Sequence, residues 1–489
     1  MDFSMINFYS IAPMVTLCVF GLLILCIGVF NKELSTKFYT ILTIIAIILD
    51  FCLIFDFHGN ISGFFGLVLI DGVAVLSMFI VLIASILFIP LALDNKKSHE
   101  YSMPEFFALF LFMLAGFEFM VSSTNLILIF LGLETSSLAL YTLIALHNRN
   151  KSVEAAIKYF TMGALGSGFF TFSVAIFYLI AGSVDISQIA KIIATINSKD
   201  NMFILLASLM MIVSIGFKLS LIPFHTWTPD VYEGASAAMA GFMSIVPKIA
   251  GFVVGIRLFE ALIHSGIAWL DTILYAIAVI TMTLANIMAL IQIDVKRMLA
   301  FSSISHAGFV LSAIVIGSTQ ANITLFLYWI LYAFANLGAF FMLWIMRTKQ
   351  NSWHKRFEYP YEKFNGLIKT IPVAAIIMAI FMVCLAGIPP FSVFWGKMYL
   401  MSAAVNSGYN YLALIMAINS AIALYYYLKL IVCMFLNEPI IKDENIILSN
   451  VSNPLKIVIA TVTILCVISP FIVKFSISSL NSLVFLSGY

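Results

Sequence analysis

Ser214-Ile-Gly-Phe-Lys218-Leu-Ser-Leu-Ile-Pro223-Phe-His225-Thr-Trp227 sets a lysine and a proline inside a long apolar stretch. An ammonium group at bilayer depth costs roughly 2.5–3.5 kcal/mol even on lenient insertion scales. Proline lacks an amide hydrogen and clashes with the preceding turn, so Pro223 kinks or breaks a helix that carries it. The stretch therefore predicts a discontinuous transmembrane helix with a charge beside its break. Unwound backbone at such depth is tolerated only where protein or a watery cavity satisfies it.

Outward from this point the pattern recurs. Lys158, Lys248, Lys397 and Lys429 also lie in apolar segments, accompanied by Glu134, and Ala386-Gly-Ile-Pro389-Pro390-Phe391 supplies a second break shortly before Lys397. A chain that tolerates several buried cations needs them for something, and moving protons is the first candidate.

The composition supports a membrane reading. Of 489 residues, 63% are hydrophobic and only 10% are charged, against about 25% charged in a soluble domain. The net charge of +2 and the lack of a basic patch with interleaved aromatics argue against nucleic acid. Cys18, Cys26, Cys52, Cys384, Cys433 and Cys466 each stand alone in apolar sequence, which predicts small buried hydrophobes rather than metal ligands or disulfides. Met1–Ser10 has no Lys or Arg, so the run Ile11–Phe30 reads as a first transmembrane helix rather than a signal peptide.

At about 20 apolar residues per crossing, the chain divides into fourteen spans: 11–30, 38–57, 68–93, 104–121, 125–146, 153–182, 202–228, 236–262, 267–292, 298–317, 320–346, 370–404, 409–436 and 456–483. All are joined in one integral membrane domain. Alternate loops hold Lys32 and Lys37; Lys96 and Lys97; Arg149 and Lys151; Lys296 and Arg297; Arg347, Lys349, Lys355, Arg356, Lys363 and Lys369; Lys442 and Lys456. The opposite loops hold Lys191 and Lys199, with Arg257 and Lys474 near their ends. The positive-inside rule makes the richer side cytoplasmic and places both termini outside.

Spans seven and twelve carry the breaks, at Pro223 and at Pro389-Pro390. Each is the fourth helix counted from spans four and nine, so two five-helix repeats are expected at 104–262 and 267–436, the second inverted. Residues 1–103 then form an N-terminal group of three helices, and 456–483 the last helix. The fold class is all-α and polytopic.

The charged and titratable residues differ in what competes with function. Lys218 and Lys248 lie too deep for easy snorkelling, and Glu134 is the natural carboxylate partner for a buried lysine. Lys397 follows the second break. Lys158 is near its span end and Lys429 follows Tyr425–Tyr427, so snorkelling or an aromatic contact competes there with proton relay. His306, set among serines, and His225, at the first break, suit a relay by their near-neutral titration but read equally as structural or interfacial histidines. Asp50, Asp56, Asp71 and Glu118 read as solvated span ends. No haem-ligating pair, P-loop, GxGxxG turn or nucleophile elbow is present.

At these residues the chain resembles the antiporter-like membrane subunits of proton-pumping NADH–quinone oxidoreductase (respiratory complex I). These are related to the large subunits of multisubunit cation/proton antiporters. The most specific segment is Lys218-Leu-Ser-Leu-Ile-Pro-Phe-His225-Thr-Trp-Thr-Pro229-Asp230-Val-Tyr232-Glu233-Gly234-Ala, and Asp294-Val-Lys296-Arg297-Met-Leu-Ala-Phe-Ser-Ser-Ile-Ser-His306-Ala-Gly resembles the tenth-helix motif. The residues after Pro229, with lysine rather than glutamate on helix twelve, look like one subunit type of the family. Glu134, Lys218, Lys248 and Lys397 fill the family's positions on helices five, seven, eight and twelve. Ser236 and Pro247 depart from its pattern around helix eight.

The resemblance implies a proton relay in which Glu134 sets the charge of Lys218, and protonation changes pass through Lys248 to Lys397. It implies no cofactor or metal on this chain, with NADH, FMN, iron–sulfur clusters and quinone on partner subunits. Antiporter-like and small membrane subunits and the lipid bilayer would be its partners, in a bacterial inner (plasma) membrane. A subunit of a sodium/proton antiporter, or of a related membrane-bound hydrogenase, stands as the alternative.

Overall fold

A computed structural model describes the chain except for residues 1–5, 32, 58, 94–100, 102, 197–201, 347–358, 440–450 and 488–489. Of the cations that sort the loops, Lys32, Lys96, Lys97, Lys199, Arg347, Lys349, Lys355, Arg356 and Lys442 lie outside the described residues.

The N-terminal group comprises α1 (Ala12–Phe30), α2 (Thr36–Phe55), an antiparallel hairpin of β1 (Ile61–Gly63) and β2 (Val68–Ile70), and α3 (Gly72–Phe88). The hairpin corrects the third span, whose helix starts only after Asp71. That carboxylate accepts from the Ala74 amide at 2.8 Å and caps the helix. Next come α4 (Pro104–Val121), α5 (Leu126–Ala145), α6 (Asn150–Ala181), α7 (Ile186–Thr195), α8 (Met202–Leu219) and α9 (Trp227–Gly234). The short helix α7 has no counterpart among the expected spans; its Ile186, Ile189 and Ile193 are buried on one side.

The eighth span is in pieces: α10 (Ala237–Met243), α11 (Val246–Gly255), a π-helical turn (Ile256–Glu260) and α12 (Ala261–His264). The two departures from the family pattern lie at the starts of these pieces. Ser236 caps α10 through the Met239 amide, and Pro247 stands in the first turn of α11, where a missing amide hydrogen costs nothing.

The second half runs α13 (Ala268–Leu290), α14 (Val295–Ile316), α15 (Thr319–Ile345), α16 (Leu367–Thr370), α17 (Pro372–Ala386), α18 (Ser392–Asn406) and α19 (Asn410–Leu436). It closes with α20 (Asn453–Val467) and α21 (Ser469–Leu486), bent by 76° at their junction. Among the described residues twelve helices are long and apolar enough to cross a membrane, and the bent pair passes the same test jointly. The two pieces of the broken twelfth span, α17 and α18, are 15 residues each and too short to pass it, so the structure gives twelve or thirteen such spans against the fourteen expected.

Inversion is visible in two matching corners. Asn125, the cap of α5, pairs across an isolated bridge with Asp185; Leu126 N–H donates to Val184 and Ile186 N–H to Thr124. Asp294, the cap of α14, pairs in the same way with Pro360; Val295 N–H donates to Tyr359 and Tyr361 N–H to Ile293. Five crossings separate the two corners, so they lie at opposite ends of the bundle. At one end Arg257 reaches Asp71 and Val121; at the other Arg297 reaches Asp230 and Ser152 reaches Gly234.

Helices α11, α14 and α15 form the centre, with almost every side chain buried, whereas α1, α6 and α19 keep much apolar surface outward. Cys26 on α1 and Cys52 on α2 are exposed, which corrects their reading as buried hydrophobes.

Candidate functional site: a buried polar axis

Helix α8 stops one residue after Lys218. Ser220 takes a left-handed backbone conformation (φ +61°), and the Ile222–Pro223 bond is cis. Neighbouring groups satisfy the opened backbone: Ile222 N–H donates to Thr281 Oγ1 at 3.0 Å, and the Trp227 indole to the Phe217 carbonyl at 3.2 Å. Thr228 Oγ1 donates to Ser220 Oγ at 2.8 Å. This is the protein-satisfied break that the proline and membrane depth require.

The Lys218 ammonium is buried, donates to Ser137 Oγ at 2.9 Å and lies 5.5 Å from the centre of the Phe117 ring. Glu134, one turn earlier on α5, is half-buried and accepts from Ser167 on α6. No ion pair joins Glu134 to Lys218. The Ser137 hydroxyl is the direct contact of the lysine, and the carboxylate stands one turn away on the same helix.

Lys218 passes beside Gly251, in the turn of α11 that follows Lys248. The Lys248 ammonium donates to the carbonyl of Ser303 at 2.6 Å and to its hydroxyl at 3.1 Å. One turn along α14, His306 bridges two phenols: Nδ1 is 2.5 Å from the Tyr328 hydroxyl and Nε2 is 3.1 Å from that of Tyr427, which also bonds Ser302. His306 is within electrostatic range of both Lys248 and Lys397. Ser137 and His306 occupy the same position along α5 and α14, counted from the capping residues of the two matching corners.

The second break repeats the first in outline. Gly387 ends α17 at φ +80°, Pro389–Pro390 is cis, and the Trp395 indole donates to the Pro390 carbonyl at 3.0 Å. Lys397 folds back from α18, donates to the Ala386 carbonyl at 3.2 Å and lies 5.3 Å from the centre of the Phe309 ring. Lys218, Lys248 and His306 are thus each bonded to serine or tyrosine hydroxyls, whereas Lys397 is held by a backbone carbonyl and an aromatic face.

Other expected residues stand elsewhere. Lys158 is nearly half exposed and pairs with Glu154 at 2.8 Å and Asp230 at 3.2 Å, in a surface network with Arg297 and Glu233. Lys429 lies 4.5 Å from the centre of the Tyr361 ring, the aromatic contact that competes with a relay role. His225 is half-buried in the loop of the first break.

Three acidic residues that read as solvated span ends are not. Asp71 is paired with Arg257, itself buried rather than at a loop end. Asp50 and Glu118 are wholly buried and face one another, with no hydrogen-bond donor on their four oxygens among the described residues. Asp56 is exposed, as expected. Lys296, expected as a loop cation, is buried and donates to the carbonyls of Glu233 and Ala235. Single acids near span ends look alike in sequence, and only packing distinguishes solvent from a partner helix. Likewise Ser137, Ser303, Tyr328 and Tyr427 carry no signal of their own: hydroxyl side chains are common in apolar helices, and nothing local marks those that meet an ammonium.

Two broken spans in opposed repeats, joined by buried lysines, define an antiporter-like membrane subunit. The chain belongs to the NADH:quinone oxidoreductase/Mrp antiporter membrane family, whose model matches residues 123–423. A relative from Campylobacter hominis, NADH-quinone oxidoreductase subunit N, is 60% identical over 97% of both chains. Subunit N is the subunit type to which the residues after Pro229 and Lys397 point. A chain of respiratory complex I from Thermus thermophilus with bound aureothin superposes with a TM-score of 0.79 at 26% identity, over 96% of this chain and 99% of that one. A chain of the Mrp complex from Dietzia, at 17% identity, TM-score 0.82 and 98% and 97% coverage, shares the fold.

Proposed function

We propose that this chain is the proton-translocating subunit N of an NADH–quinone oxidoreductase, coupling quinone reduction on partner subunits to proton movement along its own buried axis. One observation carries the reading: four cationic or titratable side chains, Lys218, Lys248, His306 and Lys397, are buried within the bundle, and three of them are bonded to hydroxyl groups that both donate and accept. Such hydroxyls relay protons without carrying charge themselves. Glu134, at the outward end of the axis, is placed to bias the charge on Lys218.

The energy scale suits gating. Two charges about 4 Å apart interact by roughly 4 kcal/mol at an effective dielectric of 20. Moving one charge against 100 mV costs about 2.3 kcal/mol. At such a separation, changing one charge shifts its neighbour by more than the membrane opposes, and the work comes from partners. NADH, FMN, iron–sulfur clusters and quinone belong on those partners, which include antiporter-like and small membrane subunits.

Repeats at 104–262 and 267–436 act as opposed half-channels meeting at Lys248 and His306. The loops bearing Arg149, Lys151, Lys296 and Arg297 face the cytoplasm of a bacterial cell, and both termini lie outside the inner membrane. Lys158 belongs to the inner-face ion network and Lys429 to a packing contact, outside the axis.

The test is redox-coupled proton translocation by the assembled complex carrying Lys218→Ala or Lys248→Ala. Loss of one proton-transferring group is expected to slow it by about 10²-fold or more. Normal translocation in a normally assembled complex would overturn the assignment.

A further inference from the structure

Lys474 stands in α21, just past the 76° bend, and forms no ion pair among the described residues. It lines a cavity of about 460 Å³ between α18 and α21, to which no carboxylate contributes. Ser478 and Asn481 follow Lys474 at i+4 and i+7, on one face of α21. Trp395 and Tyr399, four apart on α18, form the facing wall, and Ile477 adds apolar surface. The same helix α21 keeps Phe471 and Phe475 exposed.

The bend fixes the depth of this cavity. Helix α20 begins with exposed Lys456 and packs beside Ile89–Leu93 at the end of α3. Its 15 residues advance about 22 Å at 1.5 Å per residue. After the 76° bend, the 18 residues of α21 add only about 7 Å along that direction. Together they cover roughly the 30 Å thickness of the hydrocarbon core. Helix α21 closes on the opposite end of α3, where Val73 N–H donates to Ser487 Oγ at 2.9 Å. The whole of α21 therefore lies within about 7 Å of the boundary between hydrocarbon and headgroups. A lysine stem spans such a gap.

We propose that the cavity between α18 and α21 is the headgroup site of one anionic phospholipid, with Lys474 on its phosphate and Ser478 and Asn481 donating beside it. Charge complementarity selects an anion: the site offers an ammonium, a hydroxyl and an amide, and no acid. Its place selects a lipid. A soluble anion would have to leave water, whereas a phospholipid already holds its phosphate at this depth and lays its chains along Phe471 and Phe475. A zwitterionic lipid brings a second ammonium for which the cavity has no partner. Trp395 and Tyr399 supply the amphipathic rings that favour this boundary. They stand two residues to either side of Lys397, which is buried in the bundle, so the lipid braces the opposite face of the helix that carries it.

The experiment uses the whole complex in vesicles of phosphatidylethanolamine with a minor share of phosphatidylglycerol bearing a photoactivatable group. After illumination and digestion, lipid adducts are expected on peptides holding Trp395, Tyr399 and Ile477. Unlabelled phosphatidylglycerol should displace the label, and inorganic phosphate should not. Lys474→Ala should lower labelling by about fivefold, and Lys474→Arg should retain it. Equal labelling by a phosphatidylethanolamine probe would show boundary lipid only and overturn the proposal, as would unchanged labelling in Lys474→Ala. Absence of adducts in the assembled complex would show that a partner subunit fills the cavity, which also overturns it. Lipid attachment is read without proton translocation, so its failure is distinct from failure of the proton-relay reading.

Discussion

Arg257 holds Asp71 through two parallel hydrogen bonds of 2.7 and 2.9 Å, with both side chains almost wholly buried. The arginine comes from the π-helical turn of the eighth span and also donates to the Val121 carbonyl at the end of α4; the aspartate caps α3. One ion pair therefore fastens neighbouring ends of three spans, one of which carries Lys248. Removing either partner leaves a buried charge without its mate, which costs about 3–5 kcal/mol. Arg257→Ala and Asp71→Ala should each sharply lower the melting temperature of the solubilised complex, and Asp71→Asn less so. An alanine variant that melts like the wild type would show the pair to be dispensable.

Glycines set how closely α4 and α5 approach. A Cβ on Gly132 would lie 2.6 Å from the Gly116 carbonyl oxygen and 2.7 Å from the Met120 amide nitrogen, both rigid backbone atoms. Small residues at such crossings let membrane helices pack through their backbones. Gly132→Ala should force the helices apart at a cost of about 1–3 kcal/mol, displacing Ser137 and Glu134 together. The check is the amount of assembled complex on native gels; wild-type levels with wild-type translocation would refute the prediction.

Ser137, rather than Glu134, is the group in contact with Lys218. Ser137→Ala removes the hydrogen-bond partner the structure gives this buried ammonium, a loss of about 1–3 kcal/mol. Since about 1.4 kcal/mol is one unit of proton affinity, translocation should slow by about tenfold, and Ser137→Thr should retain most of it. If Ser137→Ala pumps normally while Glu134→Gln does not, the carboxylate acts without the serine.

Lys158 behaves as a surface cation. It is 45% exposed and has two carboxylate partners, and exposed pairs contribute only about 0–1 kcal/mol. Lys158→Met should therefore shift melting little and leave translocation within about twofold of wild type. A loss as large as that of Lys248→Ala would place Lys158 on the pathway after all.

The fold is legible in the chain because the membrane imposes rules that leave traces there. Twenty apolar residues make a crossing, so the spans can be numbered. Proline at depth breaks a helix, so Pro223 and Pro389-Pro390 mark the two discontinuities. A lysine in apolar surroundings is costly, so Lys218, Lys248 and Lys397 stand out from composition alone. The hairpin before α3 and the bend between α20 and α21 are not legible, because short strands and helix junctions are set by what packs against them.

The sequence by itself determined the class of fold, the positions of the breaks and the costly charges, since each follows from the free energy of placing one residue type in hydrocarbon. Which charges meet was decided only by the tertiary structure. Asp71 and Arg257, Lys218 and Ser137, and His306 with Tyr328 and Tyr427 are far apart in the chain, and a hydrogen bond depends on ångströms that local composition does not encode.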